Sequence, residues 1–418
     1  MQGSKTVLGI DLGTSGVEIA LINDFGELLY REKITENYLL DSSESWAESC
    51  KYLIRRVPKD MRNRLSAISI DGTSGTLLAC NKEGTALGPA LTYDMHFPEE
   101  QRELSSFLVE IKNSSSSNYG SIGRALKLHK QHGSNILLRH QADWITGWFL
   151  DNWEWGEESN NVRLGWDLKK ESWPKIFLQP PWVNVLPKIV RSGTILQKIS
   201  FQKAKILDLP RNVLLVSGTT DSNAATIAAN LKEKDGLTVL GSTIVIKSFF
   251  ESPINEAGIT NHRIQDRWLV GGASNTGGII LKKFFNDTDL KELSKQINPE
   301  TNSGIELRPM VKKGERFPIQ DPNLQPILEP RPISDALFLQ ALFEGLAKIE
   351  AQGWEKLISL GLPKPTKIIT IGGGARNPQW RRIRERAIGI KVRSTSTIPA
   401  KGVAIIAANA IANKPPIN

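Results

Sequence analysis

The chain is poor in the residues that build metal and redox centres. It has two cysteines, Cys50 and Cys80, and five histidines among 418 residues. The cysteines form no metal-ligand spacing, and so small a number points to a reducing compartment. No apolar run approaches the roughly 20 residues of a membrane span, and the first residues carry no apolar signal segment. A soluble, cytoplasmic protein with no membrane partner is expected. Gly-Lys-Ser/Thr is missing, which excludes a Walker phosphate loop. Clustered positive charge is scarce as well. The formal net charge is +9, yet Lys and Arg are scattered among Asp and Glu. The one dense group, Arg381, Arg382, Arg384 and Arg386, reads as the solvated face of a helix. With no recognised nucleic-acid module, nucleic acid is not an expected partner. A mildly basic surface that attracts phosphorylated small molecules explains the charge as well.

What is present is a globular composition, 40% hydrophobic and 23% charged, on a chain long enough for two or three domains with full cores. The opening stretch "VLGIDLGTSGVEIALI" (7–22) is more specific. Val7, Leu8 and Ile10 read as a buried strand that ends at Asp11. After the turn Gly13-Thr14-Ser15-Gly16, Val17, Ile19 and Leu21 alternate with polar positions, so a second strand follows and not a helix. A dinucleotide fingerprint needs a helix there. Taken alone, the stretch is either a plain hairpin using Gly or a phosphate-binding turn.

The same grammar recurs. "LSAISIDGTSGTLLAC" (65–80) reads as a second hairpin with the same Gly-Thr-Ser-Gly tetrapeptide, and "GLTVLGSTIVIKSFF" (236–250) as another strand, Gly-Ser-Thr turn and strand. Hairpins in both halves suggest a duplicated domain. Between them, "NSSSSN" (113–118) is a polar loop and residues 121–150 are mostly helical, with Trp144, Trp148 and Phe149 in the core. Residues 152–182 are Trp-rich and irregular. "NVLLVSGTTDSNAATIAAN" gives a buried strand, a Gly-Thr-Thr-Asp turn and an Ala-rich helix from about Ser222. The second half carries "GGASNTGG" at 271, a Pro-rich loop at 309–332, a helix near 335–360, "IITIGGGARNPQW" at 368 and a closing small-residue helix, Val403 to Ala412.

Together these pieces resemble the duplicated α/β fold of the actin-like, hexokinase-like (ribonuclease H-like) ATPases, with a cleft between two domains. Within it they resemble the FGGY family of carbohydrate kinases. The resemblance rests on "GIDLGTSG" (9–16), "GTTDS" (218–222), "LGSTIVIK" (240–247), "GERFP" (314–318), "ALFEGLA" (341–347) and "GGGARNPQW" (372–380). "DGTSGT" (71–76) and the short second half are most similar to the cyanobacterial and plant branch related to D-ribulose kinase.

The resemblance implies an N-terminal domain 1–230 with the sugar site and first phosphate hairpin. It implies a C-terminal domain 231–418 with the second hairpin, the adenosine site and a closing hinge helix. It implies an ATP- and Mg²⁺-dependent kinase whose phosphate clamp uses backbone N–H groups at Gly13–Gly16 and Gly241, Ser242 and Thr243. Asp221, which by itself could equally be a helix cap, becomes the catalytic base. Asp11, alone a strand-end turn residue, becomes with Asp221 the orienter of hydrated Mg²⁺. Gly373, Gly374 and Asn377 would lie at the adenosine and α-phosphate, with Gly277 and Gly278 lining the same site. Ser15, Gly16, Ser74 and Gly75, with Asp11 and Asp221, would contact the substrate.

The chain departs from the family's larger members. Asp71-Gly72-Thr73-Ser74-Gly75 stands where Gly-Gln-Met-His-Gly is usual, "LTYDMHF" keeps Asp94 but loses the Arg of Trp-x-Asp-x-Arg, "KLHK" lacks a Trp, and "IPAKGVAII" lacks an acidic residue. A pocket of short side chains without an Arg wall is expected, suited to a small open-chain ketose: D-ribulose first, then D-xylulose, glycerol and L-ribulose. Two other classes compete. An actin- or Hsp70-like ATPase switch would need a partner-binding appendage, and a catalytically dead sugar sensor would not need Asp11, Thr14, Asp221 and Thr243. The oligomeric state is left between monomer and homodimer.

Overall fold

The computed structural model describes residues 5–105, 120–264 and 266–412; the expected polar loop at 113–118 lies outside them. The chain forms two compact units. One runs to Ala228 and takes back the chain from Ile398; the other is Ala229–Thr397. The closing helix, expected in the C-terminal domain, therefore belongs to the first unit.

The first unit contains β1 (Thr6–Gly13), β2 (Gly16–Asn23), β3 (Leu28–Ile34), β4 (Leu65–Gly72), β5 (Leu77–Cys80), β6 (Leu137–His140), β7 (Trp155–Glu157), β8 (Lys188–Val190), β9 (Ile195–Lys198) and β10 (Leu214–Thr220). Its main sheet has the order β3-β2-β1-β4-β10-β9. The meander β1–β2–β3 is antiparallel, while β1, β4 and β10 run parallel. Period-two alternation sends Leu8, Ile10 and Leu12 to one face, against Trp46 and Leu53 of the helix Ser43–Arg56 and Ile145 and Phe149 of the helix Gln141–Leu150. Val7, Gly9 and Asp11 point to the other face. There Val7 packs with Ala224 of the helix Asp221–Ala228 and with Val403, Ala404 and Ala407 of the helix Pro399–Ala412. The small residues permit backbone contact: a Cβ on Gly9 would lie 1.8 Å from the Ala400 carbonyl oxygen, and one on Gly402 would lie 1.9 Å from that of Ala224.

One expectation needs correction here. Residues 65–80 are not a hairpin. Strand β4 already has β1 and β10 on its two edges, so β5 leaves the sheet and pairs with β6. The region 121–150 is mostly helical as expected, in two helices, Ile122–His132 and Gln141–Leu150, separated by β6. Its tryptophans are packing residues: Trp144 sits between Trp46 and Trp153, with ring centroids 6.0 and 6.2 Å away.

The second unit contains β11 (Asp235–Leu240), β12 (Ile244–Phe250), β13 (Ile259–Ile264), β14 (Arg267–Ala273), β15 (Lys367–Ile371) and β16 (Lys391–Ser394), in the order β13-β14-β12-β11-β15-β16. Three antiparallel strands followed by two parallel ones repeat the first sheet, with β14, β12, β11, β15 and β16 in the places of β3, β2, β1, β4 and β10. The helix Asp335–Ser359 covers one face through Phe338, Leu342, Leu346 and Trp354.

Candidate functional site

The three parallel strands of the first sheet each deliver an aspartate to the same edge, where α/β sheets collect ligand groups. Asp11 lies near the end of β1 and Asp71 near the end of β4, directly paired in register. Thr219 of β10 pairs with Asp71, and two residues later Asp221 opens its helix. Asp11 and Asp71 fall on the sheet face that carries this helix. Asp71 is fully buried. Among the described residues no N–H or O–H of a third residue reaches Asp11 Oδ1 or either oxygen of Asp71, so the proton they share is their own. Burial, then the charges of Asp11 and Asp221, hold the Asp71 carboxyl well above the usual range. Burial also pushes Asp11 up to about 6; the hydrogen bond with Asp71 pulls against this, and Asp221 and Glu18 add to it. Asp71 is thus the protonated partner. Asp221 is half-buried, and its Oδ1 accepts the Ser222 N–H at 2.7 Å. Sequence reasoning passed over Asp71.

The β1–β2 turn stands at this edge. Gly13 pairs with Gly16, leaving Thr14 and Ser15 as an exposed two-residue turn. Gly16 lies so close to β3 that a Cβ would meet the Ile34 carbonyl oxygen at 2.1 Å.

The segment after Asp71 is tied down on both sides. The Thr73 N–H and hydroxyl donate to Gln141 Oε1 at 2.9 and 2.8 Å. Ser74 Oγ accepts from Arg163 Nε at 2.6 Å. Gly75 has φ +104°, and a Cβ there would lie 3.1 Å from Arg124 Nη2. Arg124 is buried and donates to the carbonyl oxygens of Tyr93 and Met95. Burial and the neighbouring Arg163 bring its pKa down to about 10. Two arginines from other parts of the chain, Arg124 and Arg163, thus stand beside Ser74 and Gly75, where no arginine was expected.

A magnesium ion can be tested against this edge. Buried carboxyl oxygens without donors, and the charge of Asp221 raising both Asp11 and Asp71, make an excess of negative charge that suits a divalent cation. Among the described residues no three acidic, His or Cys groups are disposed to hold a metal directly. The fit is to a hydrated ion beside Asp11 and Asp221.

In the second unit, β11 and β12 form the expected hairpin around Gly241, Ser242 and Thr243. The Gly241 N–H is not available to a ligand, because it donates to Thr243 O at 3.1 Å. Gly241 also has no positive φ, and a Cβ there would meet only Thr243 O, at 3.8 Å. The position that demands glycine is Gly277, where a Cβ would lie 2.5 Å from Thr243 Cα. Gly278 N–H donates to Gly241 O at 2.9 Å. Gly277 and Gly278 thus buttress the turn. Gly373 and Gly374 form a short 3-10 turn after β15, and Asn377 caps the helix Pro378–Ile388. Asn377 Oδ1 accepts from the Gln379 and Trp380 N–H groups, and Nδ2 donates to Ser294 Oγ at 2.7 Å. Its side chain is spent on structure, against the expectation that it reaches adenosine. The Arg381–Arg386 group is not all solvated either. Arg384, 1% exposed, makes hydrogen bonds of 2.5 and 2.7 Å to Glu350, which is itself buried. Thr238 and Thr370 complete the network.

Comparison with known proteins agrees with this geometry. Residues 239–411 match the model of the FGGY family of carbohydrate kinases, C-terminal domain. The second half of the chain thus carries the C-terminal domain of the FGGY family. It is 22% identical to a xylulose kinase of Staphylococcus xylosus, an alignment covering 96% of this chain and 90% of that protein. Its fold superimposes on a ligand-bound xylulose kinase from Lactobacillus acidophilus with TM-score 0.82 at 16% identity, covering 98% of this chain and 90% of that one. A gluconate kinase from the same organism gives 0.83, also at 16% identity, with 99% and 90% covered. The duplicated actin-like α/β fold expected from the sequence is the fold of these FGGY structures.

Proposed function

We infer that this FGGY protein transfers the γ-phosphoryl group of ATP to the terminal hydroxyl of a small ketose, with D-ribulose as the leading substrate and D-ribulose 5-phosphate as product. The observation that carries the reading is the set Asp11, Asp71 and Asp221 gathered at one sheet edge beside the Thr14–Ser15 turn. In the reaction the sugar oxygen forms the new bond to phosphorus, the bond to ADP breaks, and the hydroxyl proton passes to Asp221. Asp221 opens a helix, whose N-terminus favours its ionised form. Little basicity is needed in a loose phosphoryl-transfer transition state. Asp11, its geometry fixed by Asp71, orients the sugar hydroxyls and the hydrated ion. Thr14 and Ser15 offer backbone and hydroxyl donors to phosphate oxygens, as Ser242 and Thr243 do in the second unit. Bound Mg²⁺ would neutralise phosphate charge and so lower the barrier to attack.

In a C5 ketose the 5-OH is consumed when the furanose ring closes on C2, so D-ribulose would react as the open-chain ketone, whose 5-OH is free. D-Xylulose is the second reading, favoured by relatives named xylulose kinase. The test is kcat/KM for D-ribulose, D-xylulose, glycerol and L-ribulose, followed by ADP release. If D-xylulose or glycerol wins by about tenfold, the D-ribulose assignment fails and phosphotransfer stands. ATP hydrolysis that no sugar stimulates would favour an actin-like ATPase switch.

A further inference from the structure

We propose that Arg163 is a specificity-determining residue of this pocket, which biases Ser74 toward donating its proton and thereby selects a carbonyl-bearing sugar over the polyol of the same carbon chain. The proposal rests on the phosphotransfer reading and deepens it.

A serine hydroxyl has one proton and two lone pairs. Arg163 Nε donates into Ser74 Oγ at 2.6 Å. Among the described residues the Ser74 proton has no acceptor, and Ser74 is half-buried at the end of the segment that begins with Asp71. What remains is one proton to donate and one lone pair, which the adjacent guanidinium charge makes the poorer partner. The charge on Arg163 polarises the hydroxyl and strengthens that donation. Arg163 is itself held in place: its carbonyl accepts the Ser121 N–H at 2.8 Å, and Ser121 Oγ reaches back to Gly75 O at 3.4 Å. The Arg124 guanidinium stands beside it at Gly75, where an added Cβ would lie 3.1 Å from Arg124 Nη2 and 3.2 Å from Arg163 Cδ. Two guanidinium groups and a donating hydroxyl make this part of the pocket positive and rich in N–H and O–H. A ketone oxygen accepts from such a wall without offering a proton. A hydroxyl in its place brings a proton that faces donors and cations, and a buried donor without a partner costs binding.

The measurement is kcat and KM, in the wild type, R163K, R163M, S74A and the R163M/S74A double variant, for the ketose the wild type phosphorylates best and for the polyol made by reducing its carbonyl. Expected is a wild-type preference for the ketose of about tenfold or more. R163M and S74A should each shrink it through the ketose KM with little change in kcat, and the double variant should do no more than either alone. R163K should keep part of the preference. Calorimetric binding of the same sugar pair to wild type and R163K provides a second readout should R163M fold poorly. An active wild type that takes both sugars alike overturns the inference. So does an R163M protein, or R163K by calorimetry, that leaves the ratio untouched. Loss of the preference in S74A but not in R163M also overturns it. A wild type that phosphorylates no sugar overturns both this inference and the reading beneath it.

Discussion

Replacing Asp71 by Asn should stabilise the protein at neutral pH. Asp71 is fully buried, faces Asp11 and carries a proton that an unfolded aspartate gives up near pH 3.8. A group whose folded pKa is raised contributes stability that is complete below the unfolded pKa and is lost as pH climbs toward the folded one. Each pH unit of forced protonation costs about 1.36 kcal/mol, so the roughly three units between 3.8 and pH 7 set a ceiling of about 4 kcal/mol on what the wild type forfeits. Asn needs no proton and can donate one N–H to Asp11 in the same shape. Its second N–H has no evident acceptor, a cost of about 1–3 kcal/mol. The net expectation is a gain of about 1–3 kcal/mol at pH 7 that shrinks as pH falls and turns into a loss of about 1–3 kcal/mol near pH 4. For a unit of this size, each kcal/mol moves the melting temperature by about 2–4 °C. Scanning calorimetry of D71N and wild type across pH reads this directly. A melting difference that stays constant with pH, or a D71N protein less stable at pH 8, would refute the shared-proton account.

Asp221→Asn should lower sugar phosphorylation by about 10²–10⁴-fold while the melting temperature holds; near wild-type turnover would reduce Asp221 to a helix cap. Gly277→Ala should weaken ATP binding and cost about 1–3 kcal/mol, because its Cβ would overlap Thr243 Cα, whereas Gly241→Ala should be tolerated. Calorimetry with ATP compares the two, and equal effects would remove the buttress from the argument. Arg384→Ala strands the Glu350 carboxylate in the core and should cost about 3–5 kcal/mol in denaturant unfolding; a loss below about 1 kcal/mol would show that water reaches the pair.

The parts of the fold and site legible in the sequence are those written in local patterns. The β1–β2 hairpin needs only alternation and a turn, and both units open on one. Asp221 stands out because an apolar strand stops there and an Ala-rich helix begins. The reading of 65–80 failed for a non-local reason. Its apolar runs fit a hairpin as well as two separate strands, and the choice was made by β1 and β10 occupying both edges of β4. That error also concealed Asp71. "AISID" ends on the same strand-terminal aspartate as "VLGID", and the match was available before any coordinates.

Arg163 and Arg384 show where such reading stops. Arg163 lies 89 residues from Ser74, in a stretch with no period, and only the fold brings its guanidinium to the hydroxyl. Arg384 looks in sequence like its neighbours Arg381, Arg382 and Arg386; its difference comes from Glu350, 34 residues away on another helix. Close-packed turns that bind phosphate repeat because backbone donors serve any phosphate. The side chains that select a sugar come from scattered segments, since the pocket must match one arrangement of hydroxyls. A family can therefore be identified from its turns while its substrate stays hidden. In this chain the contact proposed to discriminate joins Ser74 of the repeated Gly-Thr-Ser-Gly to an arginine that no motif announces.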